Sequence, residues 1–395
     1  MFYGILWLNN WRFNTKRVLS PDATHGEIRP FLLIWEEKMR KVNIICLSFM
    51  FIFMNTFAWA ITEVEDKNDW MAQNFIANQI KGIGLVDSYQ EDESNVSYVY
   101  DNALAAIACM AAGNFGLAKE ILDTLSSEVK TTSEVFSQSY YYSDTSGGGS
   151  GTSYAGNSAW ILQAFNIYQK QRSSRIYYTM QKKLADFLIS LQDTSDGALR
   201  GSKSEYWKSA ESNIAAYVAL KNFGRLNNLK TYSEKADKIK SFLLNKMWNG
   251  TYFYKGLTES GTVDTEKVTD TQSLGVLLFG SGYSNALSWA ESNLKVTDYY
   301  NSQAVTGFDF NGDLDTVWLE GTLQMALAYY KINNSSKGNS YYNEAVKTAQ
   351  SDGALLLATN EGSAGEYWTL QAWRAIAPTS WLIMYYCKFS PLILY

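Results

Sequence analysis

The chain has 395 residues with a formal net charge of −5, is 46% hydrophobic and 15% aromatic, and carries one histidine and three cysteines. Mild acidity with scattered basic residues excludes a basic nucleic-acid-binding surface. The one histidine, His25, lies ahead of the region that reads as fold, so that region cannot run a Ser-His-Asp triad or a Cys-His pair or build zinc sites on imidazole, and acid–base chemistry falls to carboxylates, with Tyr and Lys as the fallback.

Residues 1–38 read as an upstream extension outside the fold. Residues 39–60 read as a signal peptide: Arg40 and Lys41 form a basic start, an apolar run extends from about Ile44 to Phe57, and Ala58-Trp59-Ala60 is an A-x-A cleavage site. The alternative is an uncleaved anchor, but the apolar run is shorter than the ~20 residues a spanning helix needs. The expected location is therefore secreted or periplasmic, with no membrane association after cleavage. Residues 61–395 are then long enough for one domain with a sizeable core.

Asn68–Ile80 opens the helical pattern. Paired helices are expected at Asp101–Ala112 with Asn114–Leu125, Gly156–Lys170 with Arg175–Leu191, Glu211–Phe223 with Leu229–Met247, Asp270–Gly280 with Ser284–Leu294, and Trp318–Lys331 with Tyr341–Ala349, closed by Ala375–Cys387. The first members start on a recurring signal, a polar residue ahead of an apolar run. From Asp101 to Asn157, Glu211, Asp270, Glu320 and Thr379 the steps are 56, 54, 59, 50 and 59 residues, a structural period with scatter in loop length.

First members such as ALAAIACMAA (103–112) are apolar nearly all round, and second members carry a charged stripe, as at Lys235, Asp237, Lys238 and Lys240. A helix apolar on every side must be enclosed, and one with a polar stripe faces water. One set therefore forms an inner ring and the other an outer ring. Cys109 and Cys387, on the first and last inner helices, read as buried hydrophobes, although a closed ring would bring those helices together. Inner-to-outer links are short, as at Gly113, while outer-to-inner links are long, so the long loops gather at the face where inner helices begin. Tyr140, Tyr141, Tyr142, Tyr154, Tyr206, Trp207, Tyr252, Phe253, Tyr254, Tyr299, Tyr300, Phe308, Phe310, Tyr367, Trp368 and Trp373 concentrate there. Loops of that length are usually functional.

Alternating helices in sixfold repeat predict an all-α fold, an (α/α)6 toroid. Through VYDNALAAIACMAAGNFGLAKEILDTL, WKSAESNIAAYVAL, VTDTQSLGVLL, GFDFNGDLDTVWLEGTLQMALAYY and the closing APTSWLIMYY, the sequence resembles the six-hairpin glycosidase class of bacterial proteins. The resemblance spans about Val96 to Tyr386 and implies carbohydrate binding or cleavage in a central cavity. Where that class leads one to expect a histidine after the third-repeat glutamate, this chain has Ser212.

The residues agree with that expectation. Sugars present apolar ring faces and outward hydroxyls, which aromatic platforms with Asp, Asn, Gln and Glu match. Asp101, Glu211, Asp270 and Glu320 are the carboxylates that open inner helices. Glycoside cleavage needs two carboxyl groups flanking one bond, and Glu211 and Glu320 open alternate helices, at a separation compatible with inverting hydrolysis. They are the expected acid/base pair, with the roles within the pair left open, while Asp101 and Asp270 would position water or sugar hydroxyls. The competing role for all four is helix capping, and for Glu211 the cap is available from Ser209 instead. Substrate contacts are expected from Tyr100, Asn157, Trp160, Trp207, Asn213, Gln272, Asp315, Trp318, Gln324 and Trp368. Gly321, so near a helix start, implies a close approach of backbone or ligand.

Asp309–Asp315 (DFNGDLD) alternates oxygens like a calcium loop, but its glycine is fourth rather than sixth, and it reads as a solvated acidic loop in which Asp313 and Asp315 reach ligand. No metal or cofactor is expected. The alternatives to hydrolysis are a non-catalytic glycan-binding toroid and a polysaccharide lyase with Tyr100 or another mouth tyrosine as base, for which Lys203 and Lys208 would supply a basic patch to hold uronic substrates. A terpene cyclase shares the architecture, but export and the thin acid cluster argue against it.

Overall fold

The computed structural model describes residues 71–128, 134–142, 151–365 and 368–395. The predicted signal peptide and upstream extension lie outside the described residues, as do Tyr367 and the start of the opening helix. Glu65–Tyr395 cluster as one compact unit.

Twelve α-helices occur among the described residues. The first, α1, covers 71–79, followed by α2 Val99–Ala111, α3 Phe115–Asp123, α4 Ala155–Arg172, α5 Tyr178–Ser190, α6 Ala210–Leu226, α7 Lys230–Phe242, α8 Asp270–Phe279, α9 Asn285–Asn293, α10 Leu319–Lys331, α11 Ser335–Val346 and α12 Ile376–Tyr386. The even-numbered helices pack in a closed ring, α2 on α4, α4 on α6, α6 on α8, α8 on α10, α10 on α12 and α12 on α2. In α2, only Tyr100 and Ala111 escape full burial. In α7 the buried residues are Tyr232, Ala236, Ile239 and Phe242, one stripe at three- and four-residue spacing. The fold is the expected (α/α)6 toroid. No described helix is long and apolar enough to cross a membrane.

The links set direction. Gly113, at φ 80°, turns the chain between α2 and α3, and Asn114 caps α3 by accepting from the Leu117 N–H at 3.2 Å. Ser209 caps α6 through the Ser212 N–H, as expected. One boundary moves: α11 begins at Ser335, six residues before the predicted Tyr341, because Asn334 caps it through the Lys337 N–H. Its first turn, Ser-Ser-Lys-Gly, has the composition of a loop and buries only its glycine.

The long connections are not plain loops. Val96–Tyr98 pairs with Ser139–Tyr141, Lys208–Ser209 with Gly256–Leu257 and on to Val263–Asp264, Leu355–Leu356 with Arg374–Ala375, and Lys295–Tyr300 with Gln303–Phe308. The first two antiparallel ladders tie neighbouring connections together, and the last two each fold a single connection back on itself. The opposite end of the ring is sealed by the tail. The Gln163 side-chain amide donates to the Pro391 carbonyl at 2.7 Å, Asn222 donates to the Ile393 carbonyl at 2.8 Å, and Leu392 is buried.

Candidate active site

Because inner helices all begin at one face, their first turns converge on a pit of about 870 Å³. Its wall takes residues from all six outer-to-inner connections: Tyr89 and Tyr98, Gln138 and Tyr154, Glu205 and Trp207, Glu259, Phe310 and Trp318, and Ala364 and Trp368. Its floor comes from Tyr100 and Asp101 of α2, Asn157 and Trp160 of α4, Glu211 and Ser212 of α6, Asp270 and Leu274 of α8, and Glu320 and Gln324 of α10. All four carboxylates that open inner helices therefore meet in one cavity. None of them is the N-cap of its helix. The caps are Tyr98, Ser209, Thr269 and Trp318, and Asp101 and Glu320 are buried inside the first turn.

Glu320 is the most heavily held. Its Oε1 accepts from the Tyr100 hydroxyl at 2.5 Å, the Trp381 indole N–H at 3.1 Å and the Gln324 amide at 3.1 Å. All three fall on one oxygen, which leaves Oε2 for the cavity. Burial pushes its pKa up to about 8, and the nearby Asp101 and Asp270 add to the rise against the pull of the Tyr100 and Trp381 donors. Asp101 is raised to about 7 by burial, partly offset by the Ser88 hydroxyl. Asp270 is raised to about 7 by burial and then by the charge of Glu211. Glu211 is raised by burial too, but each of its oxygens has a neutral donor, the Trp160 indole N–H on Oε1 at 2.8 Å and the Ser212 hydroxyl on Oε2 at 3.1 Å. Glu211 and Asp270 also keep some contact with solvent through the mouth. The Tyr100 hydroxyl is held well above its ordinary value, first by burial and then by Glu320, so it keeps its proton and donates.

Aromatic side chains join these groups. Trp160 stands edge-on to both Tyr100 (5.6 Å between centroids) and Trp381 (6.3 Å), so a continuous aromatic floor runs from Glu211 to Glu320. Higher up, Tyr154 stacks on Trp207 at 6.2 Å, and Glu205 accepts from both, at 3.1 and 2.8 Å. Trp368, 46% exposed, meets Tyr98 edge-on at the rim. Trp318 lies over Gly321, where a Cβ would come within 2.2 Å of its ring. The close approach at Gly321 is thus made by an indole and not by backbone or ligand.

Three expected substrate contacts lie elsewhere. Asn213 is fully buried and clamps the 191–199 turn, accepting from the Leu199 N–H at 2.7 Å and donating to the Leu199 and Ser209 carbonyls. Gln272 does the same for Phe253, accepting from its N–H at 2.9 Å and donating to its carbonyl at 2.8 Å. Asp315 accepts from the Ser363 N–H at 2.9 Å, outside the pit lining. Asp309, Asp313 and Asp315 do cluster, with ligand atoms within 4.8 Å of one another. The loop is not simply solvated: Asp309 is fully buried, accepts from the Asp315 and Phe310 N–H groups, and has its pKa raised to about 7 by burial and then by Asp315. Neither Asp313 nor Asp315 reaches the cavity.

Several loop aromatics are also structural. Phe253 and Phe308 are core residues, Tyr252 stacks on Trp289 at 4.2 Å, and Tyr299 is exposed on its hairpin. The sequence reading missed Tyr89, Tyr98, Gln138, Glu205 and Glu259 as lining groups, and Trp381 as a donor to Glu320. Lys208 binds Asp193 and Asp196 at 2.7 and 2.9 Å, and Lys203 binds Glu134 at 2.8 Å, so neither supplies a basic patch to the pit.

No protein-family model and no curated protein matches the sequence. Solved structures do match its fold. A wild-type glycosidase superposes with a TM-score of 0.64 at 10% identity, covering 83% of this chain and 97% of that one. A novel alpha-amylase from Clostridium perfringens gives 0.61 at 13% identity, covering 82% and 98%. A D-mannose isomerase gives 0.62 at 10% identity, covering 82% and 96%. The fold is therefore that of six-hairpin glycosidase-like toroids, and since it carries an isomerase as well as glycosidases, the reaction has to be argued from the residues in the pit.

Proposed function

We propose that the chain is an exported glycoside hydrolase that cleaves an oligo- or polysaccharide with inversion, with Glu320 as general acid and Glu211 as general base. The observation that carries this reading is the unequal environment of two carboxyl groups on one aromatic floor. Glu320, raised to about 8, holds a proton at neutral pH, and Oε2 is the oxygen left to deliver it. Glu211, steadied on both oxygens by neutral donors, is the better placed to stay ionised. Two titratable groups with separated proton affinities are what an acid and a base require.

In the proposed reaction Glu320 gives its proton to the glycosidic oxygen as the C–O bond breaks. Glu211 takes a proton from the water that attacks the anomeric carbon from the opposite face. One sugar leaves as an alcohol, the other as a hemiacetal of inverted configuration, and solvent exchange restores both carboxyl groups. Helices α6 and α10 are separated by α8 in the ring, which at 8–10 Å per helix contact puts their axes roughly 16 Å apart and leaves room for substrate plus water between inward-reaching side chains. Asp270, on α8 between them, and Asp101 would hold the water and the sugar hydroxyls. Similarity to a glycosidase variant solved in complex with glucose, at a TM-score of 0.63, agrees with a sugar in such a pit. Export rests on residues 39–60, where a basic start, an apolar run and an A-x-A site stand in order.

The test is release of reducing ends from a glycan panel by the 61–395 chain, followed by proton NMR of the first-formed anomer. Inverted product that disappears in both Glu320→Gln and Glu211→Gln is the expected result. Retained configuration would remove the base assignment, and undiminished turnover in Glu320→Gln would remove the acid.

A further inference from the structure

We infer that the pit is built for an uncharged glycan and selects against sugars bearing carboxylate, sulfate or phosphate groups. This rests on the reading of the pit as a sugar site but not on the hydrolytic roles given to Glu211 and Glu320. Six carboxyl groups line the cavity, four at the floor and Glu205 and Glu259 in the wall, and among the described residues no Lys or Arg lines it.

The nearest cations are spent elsewhere. Lys208 is buried against Asp193 and Asp196, Lys203 pairs with Glu134, and Lys255 pairs with Glu266 and Asp264, reaching the pit only as a through-space influence on Asp270. Arg200 lies over the ring of Tyr206, 4.9 Å from its centroid. Of the stretches outside the described residues in these connections, 143–150 and 366–367 contain no basic residue in sequence and 129–133 contains one, Lys130.

An anionic sugar entering here would lose its hydration, bring one more negative charge to a floor whose acids already resist ionisation, and find no guanidinium or ammonium in the lining to pair with. Like charges brought together in a partly desolvated site cost several powers of ten in affinity, not a few per cent. An uncharged sugar meets the opposite situation. Its hydroxyls can donate to Asp101, Glu211 and Asp270, and its ring faces can lie on Trp207 and Trp368 without displacing an ion pair.

Trp160, Trp207, Trp318 and Trp368 line the cavity, so intrinsic fluorescence reports its occupancy. Both the wild-type chain and Glu320→Gln are titrated with three oligosaccharide series of matched length: neutral hexose oligomers, uronic-acid oligomers and free-amine amino-sugar oligomers. The expected result is saturable quenching by at least one neutral series, with uronic-acid oligomers at least about a hundredfold weaker. Uronic-acid oligomers that bind as tightly as the neutral series, or quenching by the amino-sugar series alone, would overturn the inference, and so would silence from all three. Neutral binding with no reducing ends released would leave the inference standing and remove the hydrolase reading. Cleavage of uronic-acid oligomers would do the reverse.

Discussion

The two ends of the helical ring bury polar side chains to opposite purposes. At the sealed end, amides are matched to partners. Asn222 donates to both the Ile393 carbonyl and Gln163, and accepts from the Tyr395 N–H, while Gln163 donates to Pro391. Those bonds cost little and hold elements together. At the open end, Asp101, Glu211, Asp270 and Glu320 are carboxyl groups with no cation in the pit, and three of them are pushed to pKa values of about 7 or 8. Keeping acids in that condition costs stability, and carboxyl groups with shifted proton affinities gathered in one cavity are a feature that active sites share. The contrast can be broken or sharpened by four measurements.

The largest expected effect is on turnover. Glu320→Gln keeps an oxygen where Tyr100, Trp381 and Gln324 donate, so the fold should persist, but it removes the transferable proton. On whichever glycan is cleaved, kcat should fall by about 10²- to 10⁴-fold, the range of general acid catalysis, with Tm unchanged or raised. A large loss of Tm would mean that Glu320 belongs to the structural class exemplified by Asn222.

The pH dependence of stability comes next. Asp101, Asp270 and Glu320 have folded pKa values raised above their ordinary 3.8 to 4.5, so the folded chain holds protons that the unfolded chain has released. Their protonation therefore supports folding fully below about pH 4, and that support is lost as pH rises through 7 to 8. Each contributes a slope of at most about 1.4 kcal/mol per pH unit in that window. Thermal unfolding should show Tm falling from pH 5 to pH 8.5, and Asp101→Asn or Glu320→Gln should flatten the curve. No flattening in either variant would mean that the mouth carries no such strain.

At the sealed end, Asn222→Ala orphans the Gln163 carbonyl oxygen and the backbone groups of the tail. Chemical denaturation should report a loss of roughly 1–3 kcal/mol, with kcat and KM unchanged. A kinetic effect there would show the two ends to be coupled.

How much of this was visible in the sequence follows from helix geometry. An apolar run behind a polar residue marks an inner helix, which is why all six starts, the closed ring and the meeting of four carboxylates could be read. Rotation about each helix is equally legible. At ~100° per residue, Asn213 lies about 200° from Glu211, and Gln272 about 200° from Asp270, so neither can share the pit with its carboxylate. Both turn outward to clamp a connection. Gln324, four residues after Glu320, comes back to the same face and stays in the site. The two- and three-residue ladders and the docking of 391–395 had no periodic signal, being too short to show one, whereas the six-residue strands Lys295–Tyr300 and Gln303–Phe308, rich in Val, Thr and Tyr around an Asn-Ser turn, were legible as a hairpin.

The smallest expected effect separates a sugar platform from a wall. Trp368 is nearly half exposed and meets Tyr98 only by an edge, so its removal uncovers little core. Trp318 is 6% exposed and fills the space over Gly321 against Phe310, so its loss leaves a void. Trp368→Ala should leave Tm within a degree or so and raise KM by about two- to tenfold, the worth of one aromatic stacking contact of about 0.5–1.5 kcal/mol. Trp318→Ala should instead lower stability by about 3–5 kcal/mol, as large core truncations do. If the two variants behaved alike, exposure at the mouth would no longer distinguish the residues that hold substrate from those that hold the pit open.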